Sequence, residues 1–320
     1  MKLKNNVASL KLLPLAVCVS CVLVPLAAVL RFVQVYTLID PATGFYTRSS
    51  PLTWIVNLLL LGGACCAALY CYFSKDTQAL QPLEQKNVGL FVLALLYAVS
   101  LLINGLESFT GFSSAAAGYG LHSAKELMST GALPLLFQGV FALLSGVYFI
   151  FVALSYKKGS ALASKRRLLA LAPTAWVAAR LLHLFVRKIS FMRVSDLFFE
   201  LTACVFMILF FLAFAQTASG VYSTGMSWRL AGFGLAGALV TLGVQLPRFV
   251  LSFLEDGRFI NENHPFLFSD LCFGFFAIAL CFVMLRSLKA EKEPKAEATT
   301  EAPAAAASPF DDIEPINFGK

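Results

Sequence analysis

Ser195-Asp-Leu-Phe-Phe-Glu-Leu-Thr-Ala-Cys-Val-Phe-Met-Ile-Leu-Phe-Phe-Leu-Ala-Phe-Ala-Gln-Thr-Ala218 decides the class of the molecule. From Leu201 to Ala215 it carries no charge, and it lacks the period-two alternation of a barrel strand. A helix needs about 20 such residues to cross roughly 30 Å of hydrocarbon. Seven further stretches satisfy the same condition: Leu12–Tyr36, Leu52–Phe73, Val88–Phe109, Leu133–Tyr156, Leu168–Arg187, Leu230–Leu254 and Pro265–Leu288. Pro14, Pro25, Pro173 and Pro247 fall inside them, which membrane helices tolerate, and mark candidate kinks. The predicted fold is an all-α integral membrane domain of eight transmembrane helices over residues 1–288, followed by a disordered tail over 289–320.

Composition agrees with that reading. Of 320 residues, 58% are hydrophobic and only 13% are charged. Soluble domains carry about 25% charged residues, too many for this chain to match. A soluble enzyme, a nucleic-acid binder and a disulfide scaffold are excluded on this ground. All eight Cys lie inside apolar runs and read as small hydrophobes; Cys18-x-x-Cys21 lacks the second pair that a metal site needs.

Basic residues set the predicted orientation. With a cytoplasmic N-terminus, the cytoplasmic segments before the tail hold twelve positive charges against two negative ones, Asp76 and Glu84. The opposite side holds nine of each sign. Both termini are therefore placed in the cytoplasm. The net charge of +7 divides into +10 before Lys289 and −3 in the tail. A cleaved signal peptide is the rival for the first segment, with Leu26-Ala27-Ala28 as its small-residue site. Apolar character continuing through Val33 argues against it.

The polar residues inside the spans form a pattern. The odd-numbered helices end in Arg31-Phe-Val-Gln-Val-Tyr36, Asn104-Gly-Leu-Glu-Ser-Phe109, Arg180-Leu-Leu-His-Leu-Phe185 and Arg248-Phe-Val-Leu-Ser-Phe253. The even-numbered helices place Asn57, Gln138, Glu200 and Asp270 near their starts. We expect four tandem helical hairpins in parallel repeat, pairing Arg31 with Asn57, Asn104 with Gln138, Arg180 with Glu200, and Arg248 with Asp270. An intramembrane charge costs about 2.5–3.5 kcal/mol on insertion scales, so these side chains should face the bundle interior, or the arginines should snorkel outward along their stems.

Two functions fit such a layer. In the first, which the sequence favours, Arg31, Asn57, Asn104, Gln138, Arg180, His183, Glu200, Arg248 and Asp270 line an outward-facing pocket that binds a small anionic ligand for uptake or sensing. Guanidinium groups suit a carboxylate or phosphate through two parallel hydrogen bonds, and His183 shares a helical face with Arg180. In the second, the charge pairs lock helix packing, and the protein is a scaffold or accessory subunit. Its tail then docks a partner through Phe310, Ile313, Ile316 and Phe318, where bulky apolar and acidic residues alternate. The layer sits in the outer third of the spans, whereas transporter sites usually lie near the midplane.

An enzyme is not expected, and neither is a cofactor or a bound metal. The chain has no His-Glu-x-x-His, no Gly-x-Ser-x-Gly and no phosphate-cradling glycine loop. His122, His183 and His264 could meet Glu107, Glu200 or Asp270, but nothing in their spacing requires it. The five positive charges between Lys157 and Arg167 predict contact with anionic headgroups rather than with nucleic acid. Finally, Ile39-Asp40-Pro41-Ala42-Thr43-Gly44-Phe45-Tyr46, following a helix that ends in Arg31-Phe32, resembles uncharacterised multi-pass membrane proteins of Gram-positive bacteria. The resemblance covers the first hairpin, implies a bacterial plasma membrane and brings no activity with it.

Overall fold

Among its described residues the computed structural model has eight helices long and apolar enough to cross a membrane, as in a multi-pass membrane protein. The structure describes residues 2–40, 46–73, 86–119, 127–128, 130–160, 162–186, 194–220, 226–254 and 266–290. We label the helices α1 (Lys2–Leu38), α2 (Pro51–Phe73), α3 (Val88–Tyr119), α4 (Ala132–Lys158), α5 (Ala172–Val186), α6 (Val194–Ala218), α7 (Met226–Leu254) and α8 (Phe268–Ala290). Among the described residues there is no strand, only an isolated bridge between Ile39 and Tyr46. Lys289 and Ala290, expected to open the tail, instead continue α8, and the rest of the tail, with Phe310, Ile313, Ile316 and Phe318, lies outside the described residues.

Helix α7 is the axis of the bundle. It packs against α1, α2, α6 and α8, and 89% of its most apolar window is buried, against 17% for α2. Small residues make this possible. At Gly243 an added Cβ would stand 2.4 Å from the Leu60 side chain, so that crossing admits hydrogen only. Hairpin α3–α4 uses the same device: a Cβ on either Gly105 or Gly139 would come 3.3 Å from the other's carbonyl oxygen. Close backbone approach at small residues is the usual source of helix association in lipid, where apolar burial alone offers no preference. The second layer of the bundle is completed by contacts of α4 with α5, α5 with α6, and α8 with α3.

The helical irregularities are not all where the prolines are. Pro14 and Pro25 lie within α1, and Pro247 lies within α7. Pro173 follows a 3-10 turn, Leu169–Leu171, and sits in the first turn of α5, where its missing N–H has no intrahelical acceptor to lose. The described departure from α geometry inside a span is a π turn in α2, Leu58–Gly62, beginning directly after Asn57. Its Leu60 is fully buried and is the side chain that presses on Gly243. The cysteines also divide differently from expectation. All eight are free; Cys71, Cys204, Cys272 and Cys281 are buried, while Cys18, Cys65 and Cys66 are exposed on apolar helix surface.

Beneath the polar residues lies an aromatic core. Tyr97 packs edge-on to Phe149 at 4.7 Å between centroids, and Phe210, Phe211, Phe214, Phe273 and Phe276 join them. Phe210 is ten positions along α6 from Glu200, hence about 15 Å deeper at the rise of an α-helix. No charge occurs on α6 after Glu200, on α7 between Leu230 and Pro247, or on α8 between Leu271 and Leu285. The charged layer and the aromatic layer are thus separate storeys of one core.

Candidate functional site

The site is built from the ends of α1, α5 and α7 and the beginnings of α6 and α8, which antiparallel neighbours bring to one level. Arg180 on α5 reaches across to α8 and grips Asp270 with both terminal nitrogens, Nη1 to Oδ1 at 2.6 Å and Nη2 to Oδ2 at 2.9 Å. The same Nη2 donates to Glu200 Oε1 on α6 at 2.8 Å. Arg180 and Asp270 are buried, and the Glu200 side chain is 21% exposed. Bidentate geometry makes this the strongest kind of ion pair a guanidinium forms.

A second triad centres on Asp196, one helical turn before Glu200. Its Oδ1 accepts from Arg31 Nη2 on α1, and its Oδ2 lies 3.2 Å from Arg248 Nη2 on α7. Arg31 is 1% exposed, lies 5.2 Å over the Phe199 ring, and donates from Nη1 to Gln34 Oε1 at 2.6 Å. Gln34 Nε2 in turn donates to the Tyr46 hydroxyl at 3.2 Å. The bridge between Ile39 and Tyr46, with Thr47 N–H on Leu38 carbonyl at 2.8 Å, sets Tyr46 over the end of α1. A hydrogen-bonded chain therefore runs from Asp196 to Tyr46.

The two triads carry opposite net charges, +1 around Asp196 and −1 around Arg180, and together they cancel. They share a small cavity of about 10 Å³ lined by Asp196, Glu200, Thr241, Gln245, Arg248 and Asp270, with apolar walls from Phe199, Ala203, Val240 and Val244. Such a volume holds about one water molecule. Gln245 also secures α8, accepting the Leu267 N–H at 3.2 Å just before that helix begins.

The expected pairs form in part. Arg180 with Glu200 is present, and so is Asn104 with Gln138, Gln138 Nε2 donating to Asn104 Oδ1 at 3.4 Å. That amide oxygen also accepts the Trp176 indole N–H at 3.1 Å, tying α3 and α4 to α5. Two pairings are corrected. Asp270 belongs to Arg180 rather than to Arg248, and Arg31 belongs to Asp196 rather than to Asn57. The reason is connectivity in space: α7 contacts α1 and α6, so a carboxylate on α6 meets both guanidiniums first. His183 does not line the cavity. It donates from Nδ1 to the Gly131 carbonyl at 3.1 Å, at the left-handed residue that opens α4. His122 and His264 lie outside the described residues, among which no group of three metal-binding side chains occurs.

Asn57 stands apart from the charged layer. It lines an open cleft of about 370 Å³ at the start of α2, with Tyr46, Arg48, Ser49, Ser50, Thr53 and Trp54. Sequence reasoning missed Asp196, Gln34, Tyr46, Trp176 and Gln245. For Asp196 the signal was available: spacing of four from Glu200 puts both carboxylates on one face of α6. No protein-family model, curated protein or solved structure matches the chain.

Proposed function

We propose that the chain is a non-catalytic scaffold or accessory subunit of a bacterial plasma membrane, and that its polar layer is a charge-balanced lock. One observation carries this reading. Each of Arg31, Arg180 and Arg248 is within ion-pair distance of a carboxylate of the same bundle, and the cavity bordered by Arg248 and the three carboxylates is about 10 Å³. One water fits there and an organic anion does not. The uncharged inner portions of α6, α7 and α8 support the same reading, since they offer no titratable path across the membrane.

In this account both termini are cytoplasmic and the locked end faces outward, as the distribution of basic residues indicates. The four hairpins are a parallel repeat whose polar positions have been re-paired between neighbours. Lys157, Lys158, Lys165, Arg166 and Arg167 are exposed beside Leu168, itself 88% exposed, and meet anionic headgroups of the inner leaflet. Arg166 lies 4.0 Å over Phe151 and Ser155 Oγ accepts the Ala163 N–H at 3.0 Å, so this basic loop is held against the end of α4. The tail over 289–320 docks the partner.

A second reading, an outward-facing site for uptake or sensing of a small anion, is favoured by one feature: both triads border a single cavity into which a partly exposed Glu200 projects. Opening of α6 from α8 would release Arg180 to an anionic ligand. Arg31→Gln separates the two readings. The lock predicts loss of folded protein and a lower melting temperature; the ligand site predicts normal folding with a lost ligand effect. Deleting residues 289–320 tests the docking role, and unchanged co-purification of partners would remove it.

A further inference from the structure

The cleft at the start of α2 has a chemistry of its own. Its polar lining is Arg48, Ser49, Ser50, Thr53, Asn57 and the Tyr46 hydroxyl, with no carboxylate among them. Among the described residues the charge on its wall is therefore positive. Arg48 is exposed, and it makes no ion pair with any described residue. Asn57 lines the deeper part of the cleft, and its Oδ1 atom is turned into the wall, buried and without a hydrogen-bond partner among the described residues. A buried acceptor left without a donor costs about 1–3 kcal/mol, which a rotation of the carboxamide toward a ligand donor in the cleft would recover. The volume of about 370 Å³ falls in the range of small-molecule sites.

Position in the membrane narrows the ligand. Asn57 lies six residues beyond Pro51, the first residue of the span, so the cleft reaches about 9 Å along it. Trp54 and Leu58 are 76% and 75% exposed on the same stretch of α2, where hydrocarbon surrounds the helix. The wall thus passes from a cation through hydroxyls and a carboxamide to bare apolar surface. The π turn that begins after Asn57 accompanies this change, as such turns often do at binding sites. We infer that this cleft binds a phosphate ester bearing a hydroxyl or ammonium donor, and that its source is a phospholipid headgroup. Arg48 holds the phosphate, Thr53 and Ser49 donate to it, Asn57 accepts from the headgroup donor, and the acyl chains lie along Trp54 and Leu58. Through Tyr46, Gln34 and Arg31 the occupied cleft abuts the buried lock, but it is a separate site and does not depend on the function proposed for that lock.

The test uses the full chain in detergent and native mass spectrometry. Phosphatidylglycerol, phosphatidylcholine and water-soluble glycerol 3-phosphate are added to wild type, Arg48→Gln, Thr53→Val and Asn57→Leu, with melting temperatures measured in parallel. Arg48 is exposed, so its variant should melt like wild type. The expected result is retention of phosphatidylglycerol by wild type, at least about fivefold lower retention by Arg48→Gln, and loss of preference over phosphatidylcholine in Asn57→Leu. Arg48-dependent binding of glycerol 3-phosphate without lipid would support the phosphate site and assign its ligand to the aqueous phase. Equal retention of every compound by wild type and all three variants would overturn the proposal.

Discussion

Arg180 and Asp270, ninety positions apart in sequence, form a two-pronged ion pair in the interior of the bundle, with N–O distances of 2.6 and 2.9 Å. The pair joins α5 to α8, and Glu200 adds α6 through the same guanidinium. Three helices are thereby fixed in register by one side chain. In hydrocarbon, neither partner can turn to water if the other is removed.

That asymmetry gives the first prediction. Arg180→Gln leaves two carboxylates without their cation, a change that typically costs about 3–5 kcal/mol, and Asp270→Asn takes away the buried two-pronged partner and leaves Arg180 only Glu200. Glu200→Gln should cost less, because its side chain is partly exposed and Arg180 keeps Asp270. Thermal unfolding in detergent checks the order: Asp270→Asn well below Glu200→Gln, and Glu200→Gln close to wild type.

Asp196 should behave as a hub. Its two oxygens serve Arg31 and Arg248 from different helices, so Asp196→Asn takes a carboxylate from two guanidiniums at once. We expect its loss of stability to equal or exceed that of Arg248→Gln. In a double-mutant cycle, Asp196→Asn with Arg248→Gln should be less destabilised than the sum of the singles, by about 0.5–3 kcal/mol.

Packing at the axis gives a third test. Gly243→Val would place methyl groups where Leu60 already stands, 2.4 Å from the ideal Cβ position. Overpacking of this kind costs about 1–3 kcal/mol. Gly243→Val combined with Leu60→Ala should recover part of the loss, while Gly220→Val, with nothing within 4 Å but a positive φ of 71°, should show only backbone strain.

Orientation is testable with single added cysteines. Ser49 and Leu168 are exposed at the two ends of the bundle. In intact cells, Ser49→Cys should react with a membrane-impermeant maleimide and Leu168→Cys should not, until the membrane is permeabilised. The reverse pattern would invert the topology.

Much of this architecture was legible in the sequence because hydrocarbon imposes one rule: an uninterrupted apolar run long enough to span must be a helix. The eight predicted spans and the eight observed ones coincide to within a few residues at most ends, as with Leu133–Tyr156 inside α4 and Ser195–Ala218 inside α6. Burial of Arg31, Arg180, Arg248 and Asp270 was equally legible, since charges at that depth have nowhere else to go. Their partners were not. Hairpin neighbours are adjacent in sequence, but α1 with α6 and α5 with α8 are joined by long side chains whose partners no local spacing encodes. Asp196 lay inside its predicted span, four positions before Glu200, but Thr53, Pro134 and Phe266 stand at the corresponding positions of the other even-numbered helices, so the repeat passed over it. Asn57 looked like a member of the layer because its position rhymes with Glu200 and Asp270, yet α2 lies at the rim and turns it into an open cleft.

The central claim is that the polar layer is a lock, and the most direct measurement replaces one triad with apolar residues. Arg31→Met, Asp196→Leu and Arg248→Met are compared singly and together by equilibrium unfolding in detergent. Buried ion networks replaced as a unit by apolar side chains of similar volume are often no less stable. The account predicts that Asp196→Leu alone loses about 3–5 kcal/mol and that the triple variant regains most of it. Single variants that fold like wild type, with a bound or transported anion lost in each, would contradict it.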